Sequence, residues 1–142
     1  MKNMENFVHN DITFAIIVRG DFHKEGITFL TDGSDLLEMG YMSHPAGYVV
    51  IPHSHPPFPR QTFGTQEVIF LKSGRMRVDF YSDKNATVGK CELKGGDWII
   101  LLAGGHGIEF LEPSILIEVK NGPYAGNNDK IRFFPNVNEE LK

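Results

Sequence analysis

The chain has 142 residues, which is enough for one domain with a sizeable core, and 41% of its residues are hydrophobic. Its 14 basic and 18 acidic residues give a net charge of −4, and no basic stripe suggests a nucleic-acid surface. The apolar runs are too short to span a membrane, the N-terminal residues lack the apolar centre of a signal peptide, and one cysteine excludes an intramolecular disulfide. We therefore expect one cytoplasmic domain, residues 1–142, that binds neither nucleic acid nor membranes.

Short runs of β-branched and aromatic residues, separated by glycines and prolines, follow one another along the whole chain. The predicted strands are Ile12–Val18, Ile27–Leu30, Leu36–Met42, Tyr48–His53, Gln66–Lys72, Arg75–Tyr81, Lys90–Leu93, Trp98–Leu102, Gly107–Leu111, Ile115–Lys120 and Ile131–Phe134. No window has sustained helical periodicity, and the tail from residue 136 to 142 would form one helical turn at most. The pattern predicts an all-β fold, and we expect a closed or double-sheet jelly-roll barrel that holds a ligand at its mouth.

Two histidines, His53 and His55, lie two residues apart at the end of an apolar run that follows Gly47. On a strand, residues i and i+2 point to the same face, about 6.5 Å apart. Two imidazoles so placed can share one divalent transition metal, which binds nitrogen at about 2.0–2.1 Å. Glu67, at the start of a later apolar strand, would complete a set of two histidines and one carboxylate.

These residues resemble the first motif of the cupin superfamily, in which a glycine precedes a His-x-His pair that is followed by a glutamate and a second glycine. The leading spacing from Gly47 to His53 matches, and so does the trailing spacing from Glu67 to Gly74. The eleven residues PPFPRQTFGTQ, which separate His55 from Glu67, are longer than the link usual in the family. We interpret them as an insertion at the mouth of the barrel, stiffened by its prolines.

The run from Gly96 to His106 resembles the second cupin motif with two departures. Leu102 stands where the motif has proline, and His106 arrives one residue early. A shift of one residue on a strand turns a side chain to the other face, but Gly104-Gly105 can adopt backbone angles that absorb the shift. The resemblance thus implies a metal held by His53, His55, Glu67 and His106, with iron, manganese, nickel, cobalt and zinc all suited to these ligands.

The resemblance to small bacterial cupins implies a metal-dependent enzyme that acts on a small, oxygen-rich molecule such as a sugar derivative or a keto or carboxylic acid. Isomerase, epimerase, lyase and dioxygenase chemistry stay open, because cupins support many activities. One alternative is a non-catalytic protein that holds a ligand or a metal. Another is a metal-free sugar isomerase or epimerase in which a histidine is the general base.

Two further expectations concern the substrate and the assembly. Arg60 is the one charged residue of the insertion, and we expect its guanidinium to bind an anionic group of the substrate. The segment Ile12–Val18 has more apolar residues than a half-buried strand needs, so we expect a homodimer that forms through it.

Overall fold

The computed structural model describes residues 2–136, so most of the predicted C-terminal helical turn lies outside the described residues. The strands are β1 (Met4–His9), β2 (Ile12–Val18), β3 (Gly26–Phe29), β4 (Gly40–Ser43), β5 (Glu67–Ser73), β6 (Arg75–Tyr81), β7 (Thr87–Lys94), β8 (Trp98–Leu101), β9 (Gly105–Phe110) and β10 (Ile115–Lys120). A short 3₁₀ helix spans Gly126–Asn128. The predicted all-β class is confirmed.

The strands form three antiparallel sheets. The largest has the order β1-β2-β8-β5-β10, the second has the order β7-β6-β9, and β3 pairs with β4 alone. Among residues 2–136 none of these sheets closes into a barrel, so each keeps open edges. No helix in this part of the chain has the length and apolar character needed to cross a membrane.

The main core lies between the five-stranded and the three-stranded sheet. Ile69 and Ile99 of the larger sheet pack in one cluster with Val78 and Phe80 of the smaller one, and all four are almost fully buried. The side chains that alternate with them on the larger sheet point to its other face, where Phe22 and Leu30 belong to a second buried cluster. The five-stranded sheet is therefore covered on both faces over its central strands.

This two-sided burial explains the apolar run of β2. The strand has the predicted bounds, pairs with β1 on one side and β8 on the other, and is buried from Phe14 to Val18. Its excess of apolar residues therefore serves the core of its own chain. The dimer surface predicted on Ile12–Val18 is accordingly not available, because the strand is internal.

Two predicted strands are not formed, and one strand was not predicted. Residues Tyr48–His53 and Ile131–Phe134 have no strand pairing, whereas β1 pairs with β2 despite its polar sequence. A strand needs a partner as well as a suitable composition, and Pro52 removes a backbone donor from the first of the two segments. Residues 45–65 are exposed without interruption and contain no regular secondary structure. We call residues 45–65 the arm.

A buried carboxylate joins the two larger sheets. Asp97 lies in the turn between β7 and β8 and is fully buried. Arg19, which follows β2, donates from Nη1 to Asp97 Oδ2 at 3.1 Å and to the carbonyl of Glu92 on β7 at 2.8 Å. The backbone N–H groups of Gly20 and Lys94 donate to the two carboxylate oxygens at 2.9 and 3.1 Å. One carboxylate thereby satisfies donors from both sheets.

We predict that Asp97→Ala lowers the free energy of unfolding by about 3 kcal/mol or more, because it leaves a part-buried guanidinium and two backbone donors without their acceptor. Urea denaturation followed by circular dichroism measures this loss. Arg75→Ala is the control, since Arg75 forms ion pairs with Glu92 and Glu112 at the surface, and such pairs contribute about 0–1 kcal/mol. Equal losses in the two variants would contradict the role given to Asp97.

Candidate functional site

A cavity of about 640 Å³ opens where one end of the five-stranded sheet faces the three-stranded sheet. Glu67 and Leu101 line it from the larger sheet, and Tyr81 and His106 line it from the smaller one. The segment from residue 129 to 135 forms a further wall. A concave site of this size, with apolar and ionisable groups together, can enclose a small molecule.

Glu67 and His106 meet across this cavity, one from each sheet. Glu67 begins β5 and lies two residues before the buried Ile69, so both side chains point to the space between the sheets. His106 on β9 pairs with Phe80 of β6, which is buried in the same space, so it points inward as well. The distance from His106 Nε2 to Glu67 Oε2 is 3.1 Å. The Glu67 side chain is 12% exposed and the His106 side chain 32% exposed, so the pair is sheltered yet reachable.

The surroundings of Glu67 favour its carboxylate form. The hydrogen bond from His106 lowers the pKa of Glu67, and this effect and the nearby charges of Lys120 and Lys130 outweigh the desolvation that would raise it. Lys120 lies directly opposite Glu67 in the pairing of β10 with β5. A deprotonated carboxylate beside an imidazole can accept a proton from it, fix its orientation or bind a cation.

Gly104 and Gly105 precede His106 and line the cavity together with it. Gly104 has φ +72°, in the left-handed region, and a side chain there would overlap the ring of Phe14. A Cβ on Gly105 would lie 2.9 Å from the ring of Phe133. Both positions therefore require glycine, and the next residue, His106, faces Glu67.

The cavity wall from residue 129 to 135 is attached to the body at both ends; we call it the strap. At one end Asp129 accepts an ion-pairing hydrogen bond from Lys120 at 2.5 Å. At the other end the N–H of Asn136 donates to the carbonyl of Asn85 at 2.8 Å. Between them the ring of Phe133 packs edge-on against Tyr81, with 5.3 Å between ring centroids.

The strap adds two basic residues that the sequence analysis did not select. Lys130 and Arg132 line the cavity, and neither forms an ion pair within residues 2–136. Their spacing indicates that they act together, because residues two apart in an extended segment point to the same side. The strand predicted over 131–134 drew no attention to these two basic residues.

The remaining predicted site residues lie on the arm. His53 and His55 are exposed, do not line the cavity, and have ring centroids 5.2 Å apart. His53 Nδ1 is 2.9 Å from the carbonyl oxygen of Ile51. Arg60 is exposed too, and its guanidinium lies 5.4 Å from the centroid of the Phe58 ring. Within one chain, therefore, the structure brings together two of the four predicted metal ligands.

The side chains around the cavity include suitable ligands for a transition metal, but only two of them meet at one point. A carboxylate and an imidazole are suitable ligands, and Glu67 and His106 present them to one point. In the part of the chain that the structure describes, no group of three or more histidine, cysteine, aspartate or glutamate side chains is placed to hold a metal. Cys91 does not help, because it packs against the main core and burial raises its pKa to about 11.

Comparisons of the chain with protein-family models, with curated proteins and with solved structures give no match.

We predict that Gly104→Ala destabilises the protein more than Gly126→Ala does. Both glycines have positive φ, so alanine costs roughly 1–2 kcal/mol at either position. Only at Gly104 does the added methyl also meet the Phe14 ring, whereas nothing lies within 4 Å at Gly126. Overpacking of this kind costs about 1–3 kcal/mol more.

Urea denaturation of the two glycine variants measures the difference. A Gly104→Ala protein as stable as Gly126→Ala would show that the close packing beneath His106 is not a constraint.

Proposed function

We propose that the cavity beside Glu67 and His106 is the functional centre of a cupin-type protein, and that it acts as a metal-dependent enzyme on a small, oxygen-rich anion. The observation that carries this proposal is the contact between Glu67 and His106, which converge from two different sheets on one accessible cavity. The resemblance of the surrounding motifs to cupins supports it. The lone cysteine is in keeping with work in the reducing cytoplasm.

In this proposal Glu67 and His106 would hold a divalent transition metal together with His53 and His55, which lie on the arm outside the cavity of their own chain. When bound, such a metal polarises a carbonyl or stabilises an enediolate, depending on the ion. Glu67 enters this role as a carboxylate, because its lowered pKa keeps it deprotonated at neutral pH. The rings of Tyr81 and Phe133, packed edge-on, line the cavity beside Glu67 and His106.

The contact between the two side chains also favours a second candidate, a metal-free acid–base site. If the Nε2–H group of His106 donates a hydrogen bond to Glu67, the Nδ1 atom can act as a base and take a proton from a carbon next to a carbonyl group. Glu67 would then fix the tautomer and stabilise the imidazolium that forms, without being protonated itself. This role suits a sugar isomerase or epimerase, and metal content distinguishes it from the first candidate.

The basic lining of the cavity supports an anionic ligand. Lys130 and Arg132 reach it from the strap, while Lys120 is already paired with Asp129. An arginine can hold a carboxylate or a phosphate with two parallel hydrogen bonds. A sugar phosphate or a keto acid meets both requirements of the site, with an anionic group for the strap and a carbonyl or hydroxyl group for Glu67 and His106.

We predict that the protein purifies with a divalent transition metal, and that Glu67→Gln and His106→Ala each lose most of it. Inductively coupled plasma mass spectrometry measures the metal per chain. His23→Ala is the control, since His23 is exposed and lies outside the cavity lining. A metal-free wild-type protein whose activity still needs His106 would overturn the first candidate in favour of the second.

We further predict that Arg132→Ala weakens the binding of an anionic ligand by about 1.5–3 kcal/mol, the usual scale for a hydrogen bond to a charged group. Calorimetric titration with glucose 6-phosphate and with 2-oxoglutarate provides the measurement. Arg75→Ala serves as the control, because Arg75 is paired at the surface and does not line the cavity. Arg60→Ala in the same series tests the role that the sequence predicts for Arg60. Unchanged affinity in Arg132→Ala would remove the strap from the binding site.

A further inference from the structure

The arm exposes more apolar surface than a loop of a monomer normally does. All of residues 45–65 are exposed, although the arm includes a strand-like apolar run. Its large apolar side chains are between 52% and 80% exposed, and they are Tyr48, Val49, Val50, Ile51, Phe58 and Phe63. So many exposed large apolar side chains on one segment are typical of a surface that binds a partner.

The accessible surface of the chain is larger than expected for a folded monomer of its mass. A folded monomer of 16.0 kDa exposes about 7,400 Å². This chain exposes 10483 Å². The excess of about 3,000 Å² belongs to the chain as a whole, and the exposed arm contributes part of it.

The three-stranded sheet offers an open edge beside the functional cavity. Its order is β7-β6-β9, so β9, which carries His106, pairs on one side only. An edge strand presents unpaired N–H and C=O groups that can accept a further strand. The apolar run of the arm, Tyr48–Ile51, has the composition of a strand and no pairing within the described residues.

We propose that the arm of one copy packs on a second copy of this chain and places His53 and His55 beside the Glu67 and His106 of that copy. This inference rests on the proposed function, because it supplies the two ligands that one chain leaves outside its own cavity. A strand added at β9 would turn both histidines to one face, next to His106. The functional site is then shared between two subunits.

The segment that connects His55 to β5 is long enough for such an exchange. Eleven residues separate His55 from Glu67, and Pro56, Pro57 and Pro59 extend their first part. At about 3.1 Å per residue for extended proline-rich chain, this segment reaches roughly 34 Å, which is enough to cross to a neighbouring molecule.

A second copy is the occupant that the chain itself specifies. It carries both the apolar arm and the open edge of β9, so two copies can satisfy each other's free surfaces around one two-fold axis. It also carries the missing ligands in the right number, two histidines for each Glu67–His106 pair. Exchange of identical elements is a route to dimers that needs no new structure.

The first test is the mass in solution. Light scattering on the full chain should give twice 16.0 kDa, and Val50→Asp should convert the dimer to a monomer. Val8→Asp is the matched control, because Val8 and Val50 are both 52% exposed but Val8 lies on β1. A wild-type monomer at micromolar concentration, or a dimer that Val50→Asp leaves intact, would overturn the exchange.

The second test asks which chain supplies each ligand. One copy carries His53→Ala and His55→Ala, and the other carries Glu67→Gln and His106→Ala; the two are co-expressed with different tags and the mixed dimer is purified. Exchange predicts one intact site, and therefore about half of the wild-type metal per dimer, while each variant alone holds almost none.

The two tests separate the inference from the proposal on which it rests. A mixed dimer without metal, when the wild-type protein holds it, would show that each chain completes its own site and would overturn the exchange. A wild-type dimer without metal would overturn the proposed metal site, and the effect of Val50→Asp on the mass would then decide the exchange alone.

Discussion

The buried carboxylate of Asp97 is the constraint on which the arrangement of the sheets depends. Its charge lies away from water and is satisfied by Arg19 and by two backbone N–H groups. Because Arg19 follows β2 of the larger sheet and also binds a carbonyl on β7 of the smaller one, the network fixes one end of each sheet relative to the other. Desolvation offsets much of the attraction within a buried ion pair, whereas removal of one partner leaves the other without compensation. Its value here is that it permits one relative position of the sheets.

That position determines what lies at the other end of the two sheets. Side chains alternate along each strand, so fixing Ile69 and Phe80 in the core also fixes Glu67 and His106 on the same inner faces. The apolar core ends near these two residues and the cavity begins. The ionisable pair is thus held by two rigid elements, which gives better positioning than loops provide.

The residues of the proposed site lie partly on the rigid sheets and partly on extended segments. Glu67 and His106 belong to the sheets, the basic residues Lys130 and Arg132 belong to the strap, and the histidine pair belongs to the arm. The strap is held at both ends by polar contacts, whereas the arm is exposed over its whole length. In the proposed assembly the ligands of one centre come from different chains, which would make metal binding and association support each other by linkage.

The sequence by itself determined the all-β class and the bounds of β2, β6 and β10, because alternation and turn residues are local properties of the chain. It did not determine which strand-like segments find partners. Tyr48–His53 and Ile131–Phe134 have the composition of strands, yet pairing depends on an edge that other parts of the fold either offer or withhold. The contact between Glu67 and His106 depends on both sequence and tertiary structure. The sequence motifs suggested that the two residues share a site, and the packing of the two sheets brings them together. The position of the strap beside the cavity was decided by tertiary structure, because it depends on the contacts that its two ends make with other strands and turns, Asp129 with Lys120 and Asn136 with Asn85.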